Sequence, residues 1–408
     1  MYEYGCYDEV YEISGELEKS IRDKCIFPKT RTYNDKPLYL KQKLYYIDLN
    51  GAYMSCVKSI PTGKNCNDKP NTRIKDLIEK YESGRLASAT FPFPVICVGN
   101  LCAGGSGKTP MTEYLVRLLS DNFHVGVVSR GYGRKTQENL LAQENMTAQQ
   151  TGDEPMQYLQ KFARLPHGFS LYLAADRRRG IHELKTLAPD CGVVILDDAY
   201  QHRSVRAGLN ILLTEYQKPY FCDCPLPLGT LRESRKGARR AQIIVATKCP
   251  DTLSQAQRDA FIKKCRLLPG QQIYFCRTVY EEIRPVNTDG AFSAQDEVVL
   301  FTGIAHPGPI ERHLHEKGIS LRRHFRFGDH HAYTQEDLAR LVHACRQTGQ
   351  ASACLLTTEK DWARLAGHPH LGLLADIPLY VLPVRTEFLF GQGEAFNRRI
   401  REYVQPQE

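Results

Sequence analysis

The sequence predicts an α/β protein with a doubly wound, mostly parallel sheet and a second, smaller α/β domain. Three observations carry this. From about Pro92 onward, short β-branched apolar runs alternate with helix-like segments. The glycine-rich turn "CAGGSGKT" follows the first of these runs directly. A further group of strand-like runs begins near residue 270.

The first group reads "PVICVG", "HVGVVSR", "FSLYLAA", "GVVILDD", "LNILLT" and "QIIVAT". Continuous apolar runs of this length suit parallel strands buried on both faces. Between the first two lies "MTEYLVRLLSDNF", whose Leu115, Leu118 and Leu119 repeat at helical spacing. Strand, turn, helix and strand make the βαβ unit of a doubly wound core. The second group, "QIYFCRTVY", "EVVLFTG", "ACLLTTE" and "PLYVLP", reads as strands, with "TQEDLARLVHACRQ" as its clearest helix. Residues 84–272 are therefore read as the core and 273–384 as the smaller domain. The last segment, 385–408, carries the helix "GEAFNRRIREYV", which can return to the core. Residues 1–83 are tyrosine- and lysine-rich, with only "KLYYIDLNGAYMSCV" strongly patterned. They are read as an extra segment of unknown role, fused or partly disordered.

Composition narrows the class. The apolar fraction of 42% and charged fraction of 25% are those of a globular protein. A net charge of +8 favours anionic partners without choosing among phosphate, acidic membrane and nucleic acid. The first residues, "MYEYGCYDEV", show no signal-peptide pattern, and no apolar run approaches the ~20 residues that span a bilayer. The fourteen cysteines are accordingly read as reduced thiols. Cys222 and Cys224 form the one close pair, with no second pair at zinc-site spacing.

The turn after the first strand has the chemistry of a phosphate-binding loop. A cradle of backbone N–H groups needs small side chains, and Ala103, Gly104, Gly105, Ser106 and Gly107 supply them. Lys108 would neutralise the β- and γ-phosphates, and the Thr109 hydroxyl would hold Mg²⁺. Cys102 stands where the strict pattern has glycine, but it leaves the cradle intact. The core is thus expected to be a P-loop NTPase binding ATP and Mg²⁺. Pro110 is tolerated because the first helical turn has unpaired N–H groups anyway.

Beyond the loop, "VVILDDAYQH" ends an apolar strand in Asp197 and Asp198, where such proteins hold the nucleotide's metal. The bland alternative is a pair of solvated acids opening a turn. "TGDEP" places Asp153 and Glu154 in a tight, proline-terminated loop, and a hydroxyl acceptor needs such a carboxylate to orient it. "FGDHHAYT" sets Asp329, His330 and His331 before a helix, weak by itself as a catalytic signal. "DRRRG" and "LRESRKGARR" concentrate arginine in expected loops that could clamp phosphate or touch anionic lipid. Neither interleaves aromatics, so no nucleic acid partner is expected.

Taken in order, these stretches resemble the tetraacyldisaccharide 4'-kinases of lipid A synthesis. The resemblance rests on "VICVGNLCAGGSGKTP", "VVSRGYGRK", "GDEP", "LDDAYQHR", "LPLGTLRE", "FTGIAHP", "FGDHHAYT" and "TTEKDWARL", over about residues 84–408. It implies transfer of the ATP γ-phosphate to the 4'-hydroxyl of an acylated glucosamine disaccharide 1-phosphate, giving lipid IVA. It also implies a two-stranded connection between the domains, with the site between them, and a peripheral place on the cytoplasmic face of the inner membrane. By motif match, Asp153 is the base, His330 modulates it, and Lys108 and Thr109 take the phosphate and Mg²⁺ roles. Glu154, Asp197, Asp198, Gln201, His202, Arg232 and Glu233 fall on further active-site positions, some linked to metal or substrate. Family members usually begin with an amphipathic or hydrophobic helix, a pattern that residues 1–83 do not show.

The rival reading from another class is a nucleotide-switched binding protein without a lipid acceptor. Guanine readers carry [NT]-K-x-D after a late strand. Here Thr247 and Lys248 are followed by Cys249 and Pro250, with Asp251 one position late, which disfavours guanine.

Overall fold

A computed structural model describes residues 79–226, 229–347 and 353–405, together with six short strands between Cys6 and Ser55. Two of these, Tyr45–Ile47 and Tyr53–Ser55, pair antiparallel within "KLYYIDLNGAYMSCV". The role read for residues 1–83 otherwise falls almost wholly outside the described residues.

The core elements run β1 (Val95–Asn100), α1 (Lys108–Leu119), β2 (Val125–Ser129), β3 (Leu140–Leu141), α2 (Asp153–Phe162), β4 (Phe169–Leu173), α3 (Arg177–Leu187), β5 (Val193–Asp197), β6 (Leu209–Glu215), β7 (Ile243–Thr247), α4 (Gln255–Cys265) and β8 (Gln272–Tyr280). The smaller unit follows as β9 (Arg284–Pro285), β10 (Glu297–Thr302), α5 (Gly308–Glu316), β11 (Leu321–Arg326), α6 (Gln335–Arg346), β12 (Ala353–Thr358), α7 (Glu359–Leu365) and β13 (Leu379–Leu382). The chain closes with β14 (Val384–Phe388) and α8 (Gly393–Val404).

The large sheet has the order β14-β8-β7-β6-β1-β5-β2-β4-β3. Every pair from β4 to β8 is parallel, and both outer pairs are antiparallel. Residues of β1 alternate between two cores, because successive side chains point to opposite faces of a strand. Ile96 and Val98 pack with Met111 and Leu115 of α1. Val95 and Cys97 pack with Ile181 and Leu184 of α3. Helix α8 lies on the α1 face, where Phe396, Ile400 and Val404 are buried. The Tyr403 hydroxyl also donates to the Val95 carbonyl at 3.0 Å.

Strand β8 connects the two sheets. Its first half pairs with β7, and its second half, Cys276 to Tyr280, pairs antiparallel with β14. The smaller sheet, β9-β13-β12-β10-β11, lies between them in sequence and has its own cores around Phe301 and Leu300. Among the described residues, no helix is long and apolar enough to cross a membrane.

Three local expectations are corrected. "GDEP" is not a loop: Asp153 opens α2, with Pro155 in the first turn, where its missing N–H costs nothing. "DRRRG" likewise starts α3, with Asp176 as N-cap accepting from the Arg178 and Arg179 amides. "RKGARR", Arg235–Arg240, is a 3₁₀ helix. Beyond these, the charged run "LRRHFR" forms edge strand β11, where charge is tolerated because most of it faces solvent.

Candidate active site

The phosphate loop is shaped by its neighbours as much as by its glycines. Gly107 caps α1 at φ 83°, a left-handed conformation that favours glycine, and Gly104 has φ 117°. A Cβ added at Gly104 or Gly105 would meet nothing within 4 Å, so the loop is open to a ligand at both positions. On one side the Ala103 amide donates to the Thr230 carbonyl at 2.6 Å, and Cys102 bridges to Leu231. On the other, the Thr247 hydroxyl at the end of β7 donates to the Ser106 carbonyl at 2.9 Å. The Ser106 hydroxyl itself is buried without a protein partner.

Lys108 is held at arm's length. Its ammonium lies 3.4 Å from Asn100 Oδ1, 3.5 Å from the Gly104 carbonyl and 3.5 Å from Asp198 Oδ2. Burial pulls it below the ordinary lysine value, against the pull of Asp198. A cation so loosely held in a low-dielectric site is ready for a stronger anion.

The two acids after β5 have opposite characters. Asp197 receives the Ser129 hydroxyl at 3.1 Å and the Thr112 hydroxyl at 3.5 Å. Burial first, and the neighbouring Asp198 second, push its carboxyl up to about 6. Asp198 sits at φ 45° and takes a two-pronged contact from Arg232, at 2.8 and 3.3 Å. Burial would raise its carboxyl, but Arg232 and Lys108 overcome this and hold it well below the usual range.

A second cluster forms where α2 meets the smaller unit. Asp153 and Glu154 open α2 behind Gly152, whose φ of 97° and ψ of 162° turn the chain sharply into the helix. His330, at φ 57°, donates from Nδ1 to Asp153 Oδ2 at 2.7 Å. Helix α7 adds two cations one turn apart, the spacing that puts side chains on one face. Lys360 pairs with Glu154 at 3.0 Å, and Arg364 pairs with Asp153 at 2.7 Å. Lys360 also donates to His330 Nε2 at 3.4 Å, which leaves the ring proton on Nδ1. Burial opposes ionisation of Asp153, but the His330 hydrogen bond and Arg364 win and keep it below the usual carboxylate range. Glu154 is lowered in the same way by Lys360, and its charge is felt at both Lys108 and Asp197.

The residues anticipated from sequence thus form two adjoining groups. Ala103 to Thr109, Asp197, Asp198 and Arg232 surround the loop, and Asp153, Glu154 and His330 meet beside it. Gln201 and Glu233 brace the loop from behind: Gln201 donates to the Asn100 carbonyl at 2.8 Å and to Glu233 at 3.2 Å. Glu233 is buried and bound by Arg203 and Arg240. His202 turns away to α3, its Nε2 accepting from the Arg177 amide at 3.1 Å and the Ser204 hydroxyl at 2.7 Å. Arg177 is itself buried, bonded to the Ala174 and Asp197 carbonyls, so this arginine of the run is an internal brace. Lys360 and Arg364 were not singled out from sequence, although "TTEKDWARL" carries them at i and i+4.

Comparison with known proteins gives a consistent result. A family model described as tetraacyldisaccharide-1-P 4'-kinase matches residues 74–405. The tetraacyldisaccharide 4'-kinase of Bacteroides fragilis is 40% identical over 336 residues, covering 79% of this chain and 88% of that protein. That of Flavobacterium johnsoniae is 39% identical, covering 82% and 93%. The crystal structure of LpxK from Aquifex aeolicus in complex with ATP is 28% identical and superposes with a TM-score of 0.62, covering 82% of this chain and 96% of that one.

Proposed function

The chain belongs to the tetraacyldisaccharide-1-P 4'-kinase family, and from that premise we propose how its own residues carry the transfer. It is a kinase with ATP as phosphoryl donor and the 4'-hydroxyl of tetraacyldisaccharide 1-phosphate as acceptor, the step expected to give lipid IVA.

Residues 84–272, with the returning segment 385–408, hold the nucleotide, and residues 273–384 bring His330 to it. The amides of Gly104, Gly105 and Gly107 and the unpartnered Ser106 hydroxyl suit phosphate oxygens, and Lys108 supplies the countercharge. For Mg²⁺, the donor set Thr109, Asp197 and Asp198 fits. Asp197 is a buried acid with only hydroxyl partners, its pKa raised by burial and by Asp198, so a divalent cation would stabilise its charged form. Asp198 is already gripped by Arg232, so Asp197 is the more open ligand. Mg²⁺ keeps several waters and shares its site with phosphates, so one or two carboxylates suffice. Bound there, it would offset charge on the β- and γ-phosphates.

Asp153 is assigned as the acceptor of the 4'-hydroxyl proton, oriented by His330. The observation that carries this is the 2.7 Å contact between them, next to the loop that binds the donor phosphates. Glu154, Gln201, His202, Arg232 and Glu233 are assigned to holding these groups in place. An acylated acceptor supports the assignment of the enzyme to the cytoplasmic face of the inner membrane, and the net charge of +8 suits an anionic surface. Sedimentation with anionic vesicles tests that location.

Incubation with γ-labelled ATP, Mg²⁺ and acylated disaccharide 1-phosphate in detergent should give labelled lipid. Hydrolysis of nucleotide, GTP preferred, with no labelled lipid would overturn the reading in favour of a nucleotide-switched protein.

A further inference from the structure

Both protein partners of the Asp153 carboxylate fall on the same oxygen. His330 Nδ1 and Arg364 Nε each reach Oδ2 at 2.7 Å, and among the described residues no hydrogen bond goes to Oδ1. Arg364 is fixed in turn. Its Nη1 donates to the Gly303 carbonyl and to Asp361 Oδ1, each at 2.7 Å. Asp361 is fully buried and also accepts from the Gly303 amide and the Tyr333 hydroxyl, both at 3.0 Å. All of these anchors belong to the smaller unit, whereas Asp153 belongs to the core.

Resting on the kinase reading above, we propose that Arg364 is a positioning residue that, with His330, occupies Oδ2 of Asp153 and so reserves Oδ1 for the acceptor hydroxyl. The base is therefore oriented by the opposite unit, and only while the two units are together.

Stability alone is a poor explanation for this arginine. A buried ion pair gains little over apolar packing once desolvation is counted, and Nη2 of Arg364 is buried without a partner. A guanidinium held by Gly303 and Asp361, with its Nε edge turned to one carboxylate oxygen, is instead a rigid means of aiming that carboxylate. Proton acceptance requires such aim, since a misplacement of about 1 Å can cost roughly a hundredfold in rate. Lys360 contributes from the same face by fixing the proton of His330 on Nδ1, the atom that donates to Oδ2.

The test compares wild type, Arg364→Ala, Arg364→Lys, Asp153→Ala and the Asp153→Ala/Arg364→Ala double variant in the labelled-lipid assay. Arg364→Ala should lose roughly a hundredfold in kcat, with KM for ATP nearly unchanged, and millimolar guanidinium should restore part of the rate. Guanidinium should do nothing in the double variant, whose rate should match that of Asp153→Ala. Arg364→Lys, which keeps the charge but not the fork, should fall in between. An Arg364→Ala enzyme with wild-type kcat overturns the proposal. So does a loss that guanidinium leaves untouched while the thermal melt stays native, or losses that multiply in the double variant. If Arg364→Ala does not fold, Arg364→Lys decides alone: wild-type kcat in a native fold overturns the proposal. Absence of labelled lipid with wild type would instead defeat the kinase reading, and full activity of Asp153→Ala would defeat the base assignment.

Discussion

Lys161 of α2 meets Glu359, the first residue of α7, at 2.7 Å, and the same ammonium lies 2.6 Å from Glu113 of α1. Glu113 is fully buried and is also bonded by Gln157 at 2.8 Å. Glu359 in turn accepts from the Val384 amide at the start of β14. One lysine thus joins the helix behind the phosphate loop, the helix bearing Asp153, the helix bearing Arg364 and the strand that returns from the smaller unit.

Removing that cation leaves two acids facing each other in a place water barely reaches. Lys161→Met should destabilise the protein by about 3–5 kcal/mol, the usual cost of breaking a buried pair from one side. Adding Glu113→Gln should recover part of the loss, because a buried charge left with Arg117 alone, at 3.4 Å, goes with it. Urea unfolding of the single and double variants measures both. A loss under about 1 kcal/mol for the single variant would mean that the seam is held by packing alone.

Lys108→Ala and Asp153→Ala should each abolish lipid phosphorylation while leaving the thermal melt near wild type. Asp198 keeps Arg232 when Lys108 is removed, and Arg364 keeps Asp361 when Asp153 is removed. A general base contributes on the order of 10²–10⁴ in rate, so Asp153→Ala should fall by about that factor in kcat. Near-normal kcat would show that another group takes the proton.

Gly152 is expected to be intolerant of any side chain. A Cβ there would lie 2.8 Å from the Tyr132 carbonyl oxygen and 3.1 Å from Gly131, with the backbone at φ 97°. Gly152→Ala should cost about 1–3 kcal/mol in strain. It should also lower kcat more than KM, because the strain falls on the turn that aims Asp153. An active variant with an unchanged melt would show that the turn can relax.

The buried His202 gives the fold a defined pH response. Burial, reinforced by Arg177, pulls its pKa down to about 3, below the ordinary histidine value of 6.5. The unfolded chain therefore takes up this proton as pH falls through 6.5, while the folded chain resists until about pH 3. Its contribution to stability is complete above pH 6.5 and is lost over that window, by at most about 1.4 kcal/mol per pH unit. His202→Gln should flatten the acid side of the stability profile in urea melts between pH 4 and pH 7; an unchanged slope would assign it to other groups.

Much of the core was legible because its signals are local. Six apolar runs gave six strands, since a strand buried on both faces has no polar positions to confuse the pattern. The cradle was legible because close approach to phosphate demands small residues in an unbroken row. Arg177 was read less well. An arginine in a charged run looks exposed, and its burial beneath the Ala174 and Asp197 carbonyls is a property of the packed chain.

The sequence by itself determined the phosphate loop, the strand and helix repeats, and a pair of motifs that resemblance, not spacing, joined into one site. Only the tertiary structure decided which charges meet. Asp153 lies 177 residues from His330 and 211 from Arg364 along the chain, yet all three share one carboxylate oxygen. Periodicity records how a segment packs against its immediate neighbours. Which buried acid is matched by which distant cation follows from desolvation, and that is set only when both units have closed around the same small volume.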